Sequence, residues 1–303
     1  MRLATVTRLG SPLAVVVTDT AVHPIAGHTV EELIALGLPR ALELGRLALA
    51  EPGVPLTEAV LQLPYRPAAI RDFVTFESHV EGVRRSVEGA SGVPEAWYDA
   101  PTFYFTNPHA LYGPGEAVPR PATSRALDFE LEVGVVLGAG GSSLSESEAE
   151  AAIFGYTIVN DWSARDLQSR EMQVGLGPAK GKDFATSIGP WIVTADELTA
   201  YADADGLLDL DCVVAVNGVE VGHDRLSHMG WTFAQMIAYA SRDSRVVPGD
   251  LLASGTTGGG GCLAELWGRR GERTPPPLEP GDVVTMTVER LGTLRGSVAG
   301  SAA

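Results

Sequence analysis

The chain has 303 residues, a formal charge of -16, 45% hydrophobic and 20% charged residues, enough for a large buried core in a globular protein. The acid excess argues against nucleic acid and anionic membrane surfaces as partners, and an anionic substrate would need a locally built positive site. Cys212 and Cys262 are too few for a disulfide framework, and neither a signal-type segment nor a membrane-length apolar run stands out, so a reducing cytoplasm is the expected location.

Residues 1–65 read as a small N-terminal module and 66–303 as the main domain. In the first, Leu13 to Val17 has strand character, Thr29 before Glu31 and Glu32 marks a capped helix start, and Leu42, Leu44, Leu47 and Leu49 suggest a second helix. The remainder is strand-rich and punctuated by Gly and Pro. Strands are expected over 103–105, 129–137, 156–159, 191–193, 210–216 and 283–288, and helices over 75–87, 146–152 and 231–241. Pro248-Gly249-Asp250 and Pro280-Gly281-Asp282 read as turns into apolar runs. This mixture predicts a mainly β, α+β fold rather than alternating βαβ units.

Asp128-Phe129-Glu130-Leu131-Glu132-Val133 is the most informative stretch. Alternation puts Phe129, Leu131 and Val133 on one strand face and Glu130 with Glu132 on the other, about 7 Å apart. Taken alone, the two glutamates suit a solvated face; if buried, they require a neutralising hard cation. Asp161 follows the apolar run Ile158-Val159 and offers a third carboxylate. Arg165 and Gln168 share one face of a following helical turn, and Lys180 and Lys182 come next. His79 lies on the apolar side of the 75–87 helix, where a core histidine is the ordinary reading. Glu265, read by strand alternation, sits beside Leu263 and Trp267 and calls for either a positive partner or a raised pKa.

The order Asp128-Phe-Glu-Leu-Glu132, Asn160-Asp-Trp-Ser-Ala-Arg-Asp-Leu-Gln168, Gly181-Lys-Asp-Phe184 and Gly189-Pro-Trp191 resembles the fumarylacetoacetate hydrolase family, from about Ile70 to Val298. The leading residues resemble the small extra domain of its longer members. The resemblance implies a mixed β-barrel or β-roll catalytic domain, a cytoplasmic homodimer, and Mg²⁺, Mn²⁺ or Ca²⁺ held by Glu130, Glu132 and Asp161. It further implies a catalytic Lys182, a His79–Glu265 pair that activates water, and substrate contacts from Arg165, Gln168, Gly255, Thr256 and Tyr104. Shorter members carry a glutamate three residues after the histidine; here that position is Gly82, so Glu265 must serve. Some members take a fourth carboxylate ligand from the segment before the histidine; Asp72 is the one candidate donor here, with a structural cap as the alternative, and it stays outside the metal set. The activity implied is hydrolysis of a carbon–carbon bond in an acylpyruvate- or fumarylacetoacetate-like acid. Tautomerisation of hydroxydienoates, hydration of dienoates, decarboxylation of 2-oxo acids, or a non-catalytic binding role on the same site are the alternatives.

Other motifs carry less. Gly175-Leu-Gly177 lacks the spacing of a dinucleotide fingerprint, and Gly181-Lys182 lacks the Ser or Thr of a P-loop. Gly258 to Gly261 reads as a flexible lid or hairpin loop, and His223 with His228 lacks further ligands for zinc.

Overall fold

The computed structural model describes residues 1–300, the Glu88 side chain aside. The N-terminal part runs β1 (Arg2–Arg8), β2 (Ser11–Val17), β3 (Ala21–Pro24), α1 (Val30–Leu36), α2 (Leu38–Leu49) and β4 (Val54–Pro55). Next come β5 (Ile70–Phe73), α3 (Glu77–Val83), β6 (Phe103–Thr106), β7 (Leu111–Tyr112), β8 (Ala117–Pro119), β9 (Leu127–Asp128) and β10 (Leu131–Leu137). They are followed by α4 (Glu146–Ala151), β11 (Ile153–Asp161), β12 (Ser163–Ala164), α5 (Arg165–Met172), β13 (Thr186–Thr194), β14 (Asp211–Val216) and β15 (Val219–Arg225). The chain ends with α6 (Phe233–Ser241), β16 (Leu251–Ala253), α7 (Leu263–Arg270), β17 (Val283–Val288) and β18 (Gly292–Ala299).

Eleven strands form one open sheet in the order β4-β3-β2-β1-β13-β11-β10-β16-β5-β6, with β7 alongside β13. A second sheet has the order β15-β14-β17-β18-β8, and β9 pairs with β12. The class is α+β and mainly β, as expected, but the strands follow open paths rather than a closed barrel. The main core fills the space between the two sheets with residues such as Phe129, Val133, Ile158, Trp162, Met286 and Leu294. No described helix is long and apolar enough to cross a membrane.

Local chemistry explains several elements. Thr29 caps α1 in a reciprocal box with Glu32, and Ser145 and Thr232 do the same for α4 and α6. β10 is buried along its whole length because β11 and β16 flank it and the core and the N-terminal elements cover its faces.

The first 65 residues share a sheet and a core with the rest of the chain. β1 pairs with β13, and Leu3, Val16, Leu33 and Ile34 pack with Val136, Val159, Ile188 and Leu251. We keep the division at residue 65 as a proposal about chain organisation.

Two expectations do not hold. Glu265 lies on a helix, α7, and not on a strand. Cys262 stands at its N-cap, and Asp128, distant in sequence, accepts from the amides of Leu263 and Ala264 at 2.8 and 2.9 Å. Gly258 to Gly261 is no lid. A Cβ at Gly258 would lie 2.1 Å from Ser78 Oγ and one at Gly259 2.0 Å from the His223 carbonyl, so this turn is packed between α3 and β15.

Candidate active site

Neighbouring strands assemble an acidic cluster. β10 and β11 are antiparallel with Leu131 opposite Asn160, which brings Glu130 and Glu132 beside Asp161. The Asn160 side chain locks this register by accepting from the Glu130 amide at 3.0 Å, while the Asp161 amide donates to the Glu130 carbonyl at 3.2 Å. On the other side β16 pairs with β10 and β5 pairs with β16, setting Ala253 opposite both Gly134 and Asp72. Asp72, Glu130, Glu132 and Asp161 thereby converge, with one oxygen from each within 4.8 Å of the others. All four are buried, so the solvated-face reading of the glutamates does not hold. Asp72 is therefore no mere structural cap but a member of the cluster.

Two cations and a phenol answer this charge. Lys182 is buried and its Nζ donates to Glu130 Oε2 and, at 2.5 Å, to Asp161 Oδ2. Lys180, two residues earlier, is exposed and pairs with Asp183. Arg165 donates from Nη2 to Glu130 Oε1 at 2.7 Å, from Nε to Asp128 Oδ2 at 2.8 Å, and from Nη1 to Gln168 Oε1 at 2.9 Å. That last bond fixes the Gln168 amide, whose nitrogen must face away from the guanidinium. The Tyr104 hydroxyl reaches Asp161 Oδ2 at 2.7 Å and Asp72 Oδ2 at 3.0 Å. A phenol has one proton, so one of those contacts needs a protonated carboxyl.

The titration shifts agree with this. Burial and repulsion from Asp161 push Asp72 well above the usual carboxylate range. Burial and the charges of Asp72, Glu130 and Asp161 do the same to Glu132, and burial also raises Asp161 against the pull of Lys182. Burial would raise Glu130 too, but Arg165, Lys182 and His79 outweigh it and hold this carboxyl below its ordinary value. Lys182 is opposed by burial, yet Asp161 and Glu130 keep it charged.

Asp72 Oδ1, Glu132 Oε2 and Asp161 Oδ1 are buried without a hydrogen-bond partner among the described residues. Orphaned carboxylate oxygens are costly unless a cation or a proton satisfies them. An all-oxygen set suits a hard divalent ion, Mg²⁺, Mn²⁺ or Ca²⁺. By contrast, His223 and His228 are exposed and pair with different aspartates, Asp211 and Asp224.

Beside the cluster, α3 carries His79, whose Nε2 lies 3.9 Å from Glu130 Oε1 and whose Nδ1 lies 3.9 Å from Glu265 Oε2. These are ion-pair distances, too long for direct hydrogen bonds. Cys262 Sγ is nearer to Nδ1, at 3.7 Å. Glu265 is fully buried, and Arg269 on the next turn of α7 brings Nη2 to 2.5 Å from its Oε1 without hydrogen-bond alignment. Arg269 is the positive partner that the apolar flanks of Glu265 called for.

The cleft over these groups has a volume of about 520 Å³, and its walls include His79, Tyr104, Arg165, Gln168, Lys182 and Thr256. Thr256 is 3.5 Å from Glu132 Oε1. Gly255 does not face the cleft. Its φ of +79° turns the chain where a Cβ would meet the Phe73 carbonyl at 2.4 Å, so glycine serves the turn that presents Thr256.

Asp128 is the residue that sequence reasoning passed over. Its side chain accepts from the backbone of Phe129, Leu263 and Ala264 and from Arg165, tying β9, α7 and the cluster together. Its place at the head of the Asp-Phe-Glu-Leu-Glu motif was the available signal.

Residues 68–299 match the model of the fumarylacetoacetate (FAA) hydrolase C-terminal domain. A fumarylacetoacetase of Oryza sativa subsp. japonica is 30% identical over an alignment of 286 positions, covering 77% of this chain and 66% of that protein. The chain thus spans just under two thirds of that relative's length. The crystal structure of a 5-carboxymethyl-2-hydroxymuconate delta-isomerase from Mycobacterium smegmatis superposes with a TM-score of 0.71 at 25% identity, covering 99% of this chain and 100% of that one. A maleylpyruvate hydrolase from Sphingobium sp. SYK-6, solved with manganese(II) and pyruvate, shares the fold at a TM-score of 0.73 and 23% identity, with both chains covered fully. With the family model matched over most of its length, the chain belongs to the fumarylacetoacetate hydrolase family, whose members are hydrolases and isomerases.

Proposed function

We propose that this protein is a divalent-metal-dependent hydrolase that cleaves a carbon–carbon bond in a β-dicarbonyl acid of the acylpyruvate type. The observation that carries the reading is the convergence of four buried carboxylates, with orphaned oxygens, beside a buried lysine and a His79–Glu265 pair. Asp72, Glu130, Glu132 and Asp161 would hold the ion. When bound, it would supply positive charge that stabilises negative charge developing on the substrate.

The chain's own residues supply the rest. His79 takes a proton from a water molecule, and Glu265, at ion-pair distance from Nδ1, balances the charge the imidazole gains. The hydroxide adds to the distal carbonyl carbon, and Lys182 offers a proton donor to oxygen at the reacting centre. The bond between that carbon and its neighbour breaks, giving a carboxylic acid and a carbanion equivalent of the 2-oxo acid. The former neighbour, now the carbanion carbon of the 2-oxo acid, takes up a proton, so one water is consumed and two acids result. Arg165 acts at one remove, holding Glu130 with the support of Asp128, while Gln168 and Thr256 contact the substrate.

The rice fumarylacetoacetase and the maleylpyruvate hydrolase favour hydrolysis, and the delta-isomerase favours tautomerisation as the second reading. Both readings need the same floor and differ in what the base does with its proton. Product NMR with Mg²⁺ or Mn²⁺ and a panel of acylpyruvates, fumarylacetoacetate, hydroxydienoates and oxaloacetate separates them. Two fragments support cleavage, a single isomer replaces it with tautomerisation, and CO₂ with decarboxylation. A cytoplasmic homodimer completes the proposal, and the two buried free cysteines are compatible with a reducing compartment. Light scattering reads the oligomeric state.

A further inference from the structure

The cleft changes character along its length. On α5, Arg165, Gln168 and Met172 follow one another along a face that runs from 4% exposed at Arg165 to 39% at Met172, from floor to mouth. On α3, His79 stands at the floor, and Val80 and Val83 continue the wall. Ser169 Oγ donates to the Val87 carbonyl at 3.0 Å, holding these two walls against each other. Pro94, Trp97 and Phe103 complete the outer part. The Trp97 indole nitrogen is already bonded to the Val74 carbonyl at 2.7 Å, so Trp97 offers the cleft an apolar surface.

The cations that line the cleft are already hydrogen-bonded within the protein. Lys182 and Arg165 are bound into the floor by Glu130, Asp161 and Asp128. Arg84 donates to the backbone carbonyls of Ser91 and Gly92, the latter at 2.5 Å. A second carboxylate at the far end of a substrate would lie against valine, proline and aromatic rings, and could draw on Arg84 only in competition with the carbonyls of Ser91 and Gly92.

We infer that this enzyme selects 2,4-dioxo acids whose acyl end is an apolar alkyl or aryl group, and discriminates against those ending in a second carboxylate. The inference rests on the proposed hydrolysis for its kinetic readout, but the tail preference is a property of the outer cleft. Each methylene buried there should raise kcat/KM roughly fourfold until the wall is filled.

The test compares acetylpyruvate, butanoylpyruvate and hexanoylpyruvate with the ω-carboxy analogue of hexanoylpyruvate, all with Mn²⁺. The expected result is at least a tenfold rise in kcat/KM from acetyl to hexanoyl, and at least a tenfold fall when the terminal methyl becomes carboxylate. Met172→Arg, at the exposed end of the wall, should narrow or reverse that last ratio. An ω-carboxy substrate processed as well as the alkyl one by the unaltered protein overturns the inference. If no acylpyruvate is cleaved, the hydrolytic reading fails, and calorimetry of N-hexyl oxamate against N-(5-carboxypentyl) oxamate, with and without Mn²⁺, still decides the tail preference. Tighter binding of the hexyl compound sustains it, and equal affinity refutes it.

Discussion

A Cβ built on Gly82 would lie 2.5 Å from Cγ of Glu265. The two residues come from α3 and α7, and the same crossing brings Gly268 so close that its Cβ would sit 1.9 Å from the Gly82 carbonyl. The bare position one turn after His79 is thus what lets a carboxylate from a distant helix reach the imidazole. Gly82→Ala should push α7 away, costing about 1–3 kcal/mol by overpacking and a larger share of kcat than of stability. Urea denaturation alongside steady-state kinetics checks this; an alanine variant with unchanged turnover would mean that the close crossing has no part in positioning Glu265.

His79→Gln and Glu265→Gln should each lower kcat by roughly 10²–10⁴-fold, the usual contribution of a positioned base. Their affinity for Mn²⁺ should stay within about threefold of the parent, because neither belongs to the four-carboxylate set. Calorimetric titration with Mn²⁺ and single-turnover kinetics separate the two effects. Full activity in both variants would remove the assigned base.

Asp72→Asn should weaken Mn²⁺ or Mg²⁺ binding at least roughly tenfold, since even residues one shell further out commonly cost that much. The same substitution in a residue that merely capped β5 would leave the metal titration unmoved.

Metal binding should depend on pH in a definite direction. Asp72, Glu132 and Asp161 have pKa values raised in the metal-free fold, so the folded state holds protons that the unfolded chain releases. Their contribution to stability is fully present below the unfolded carboxylate range and is lost as pH rises through the raised folded values. The cation must displace those protons, so its apparent affinity rises with pH. At about 100 times its Kd a bound ion adds about 2.7 kcal/mol. Thermal melts at fixed Mn²⁺ should therefore show a larger gain at pH 8 than at pH 6. Equal gains would place the protons elsewhere.

Removing the charge of Asp128 should cost about 3–5 kcal/mol, the penalty for leaving a buried Arg165 partly unpaired. Part of that loss comes through the uncapped amides of Leu263 and Ala264. In a double-mutant cycle, Asp128→Asn with Arg165→Met should cost less than the sum of the single changes. Strict additivity would show that the pair does not act as a unit.

Chain order alone was enough for the family, for the strand bearing Glu132, which starts at Leu131 and leaves Glu130 just before it, for Asp161, Lys182 and His79 as site candidates, and for the cap at Thr29. Those signals are local: alternation along a strand, a helical face, a capping box, an unbroken motif. Long-range pairing decided the rest. Asp72 joins the cluster because β16 lies between β10 and β5, an adjacency that no spacing in the chain encodes. Cys262-Leu-Ala-Glu-Leu-Trp267 alternates well enough for a strand, and becomes helical where Asp128 supplies acceptors for its first amides. Arg165 turns inward to Glu130 and Asp128 because buried carboxylates claim the nearest guanidinium, and the four-glycine turn is fixed because α3 and β15 close over it. Backbone hydrogen bonding and burial are properties of the assembled sheet, and they chose among side-chain roles that the linear order left open.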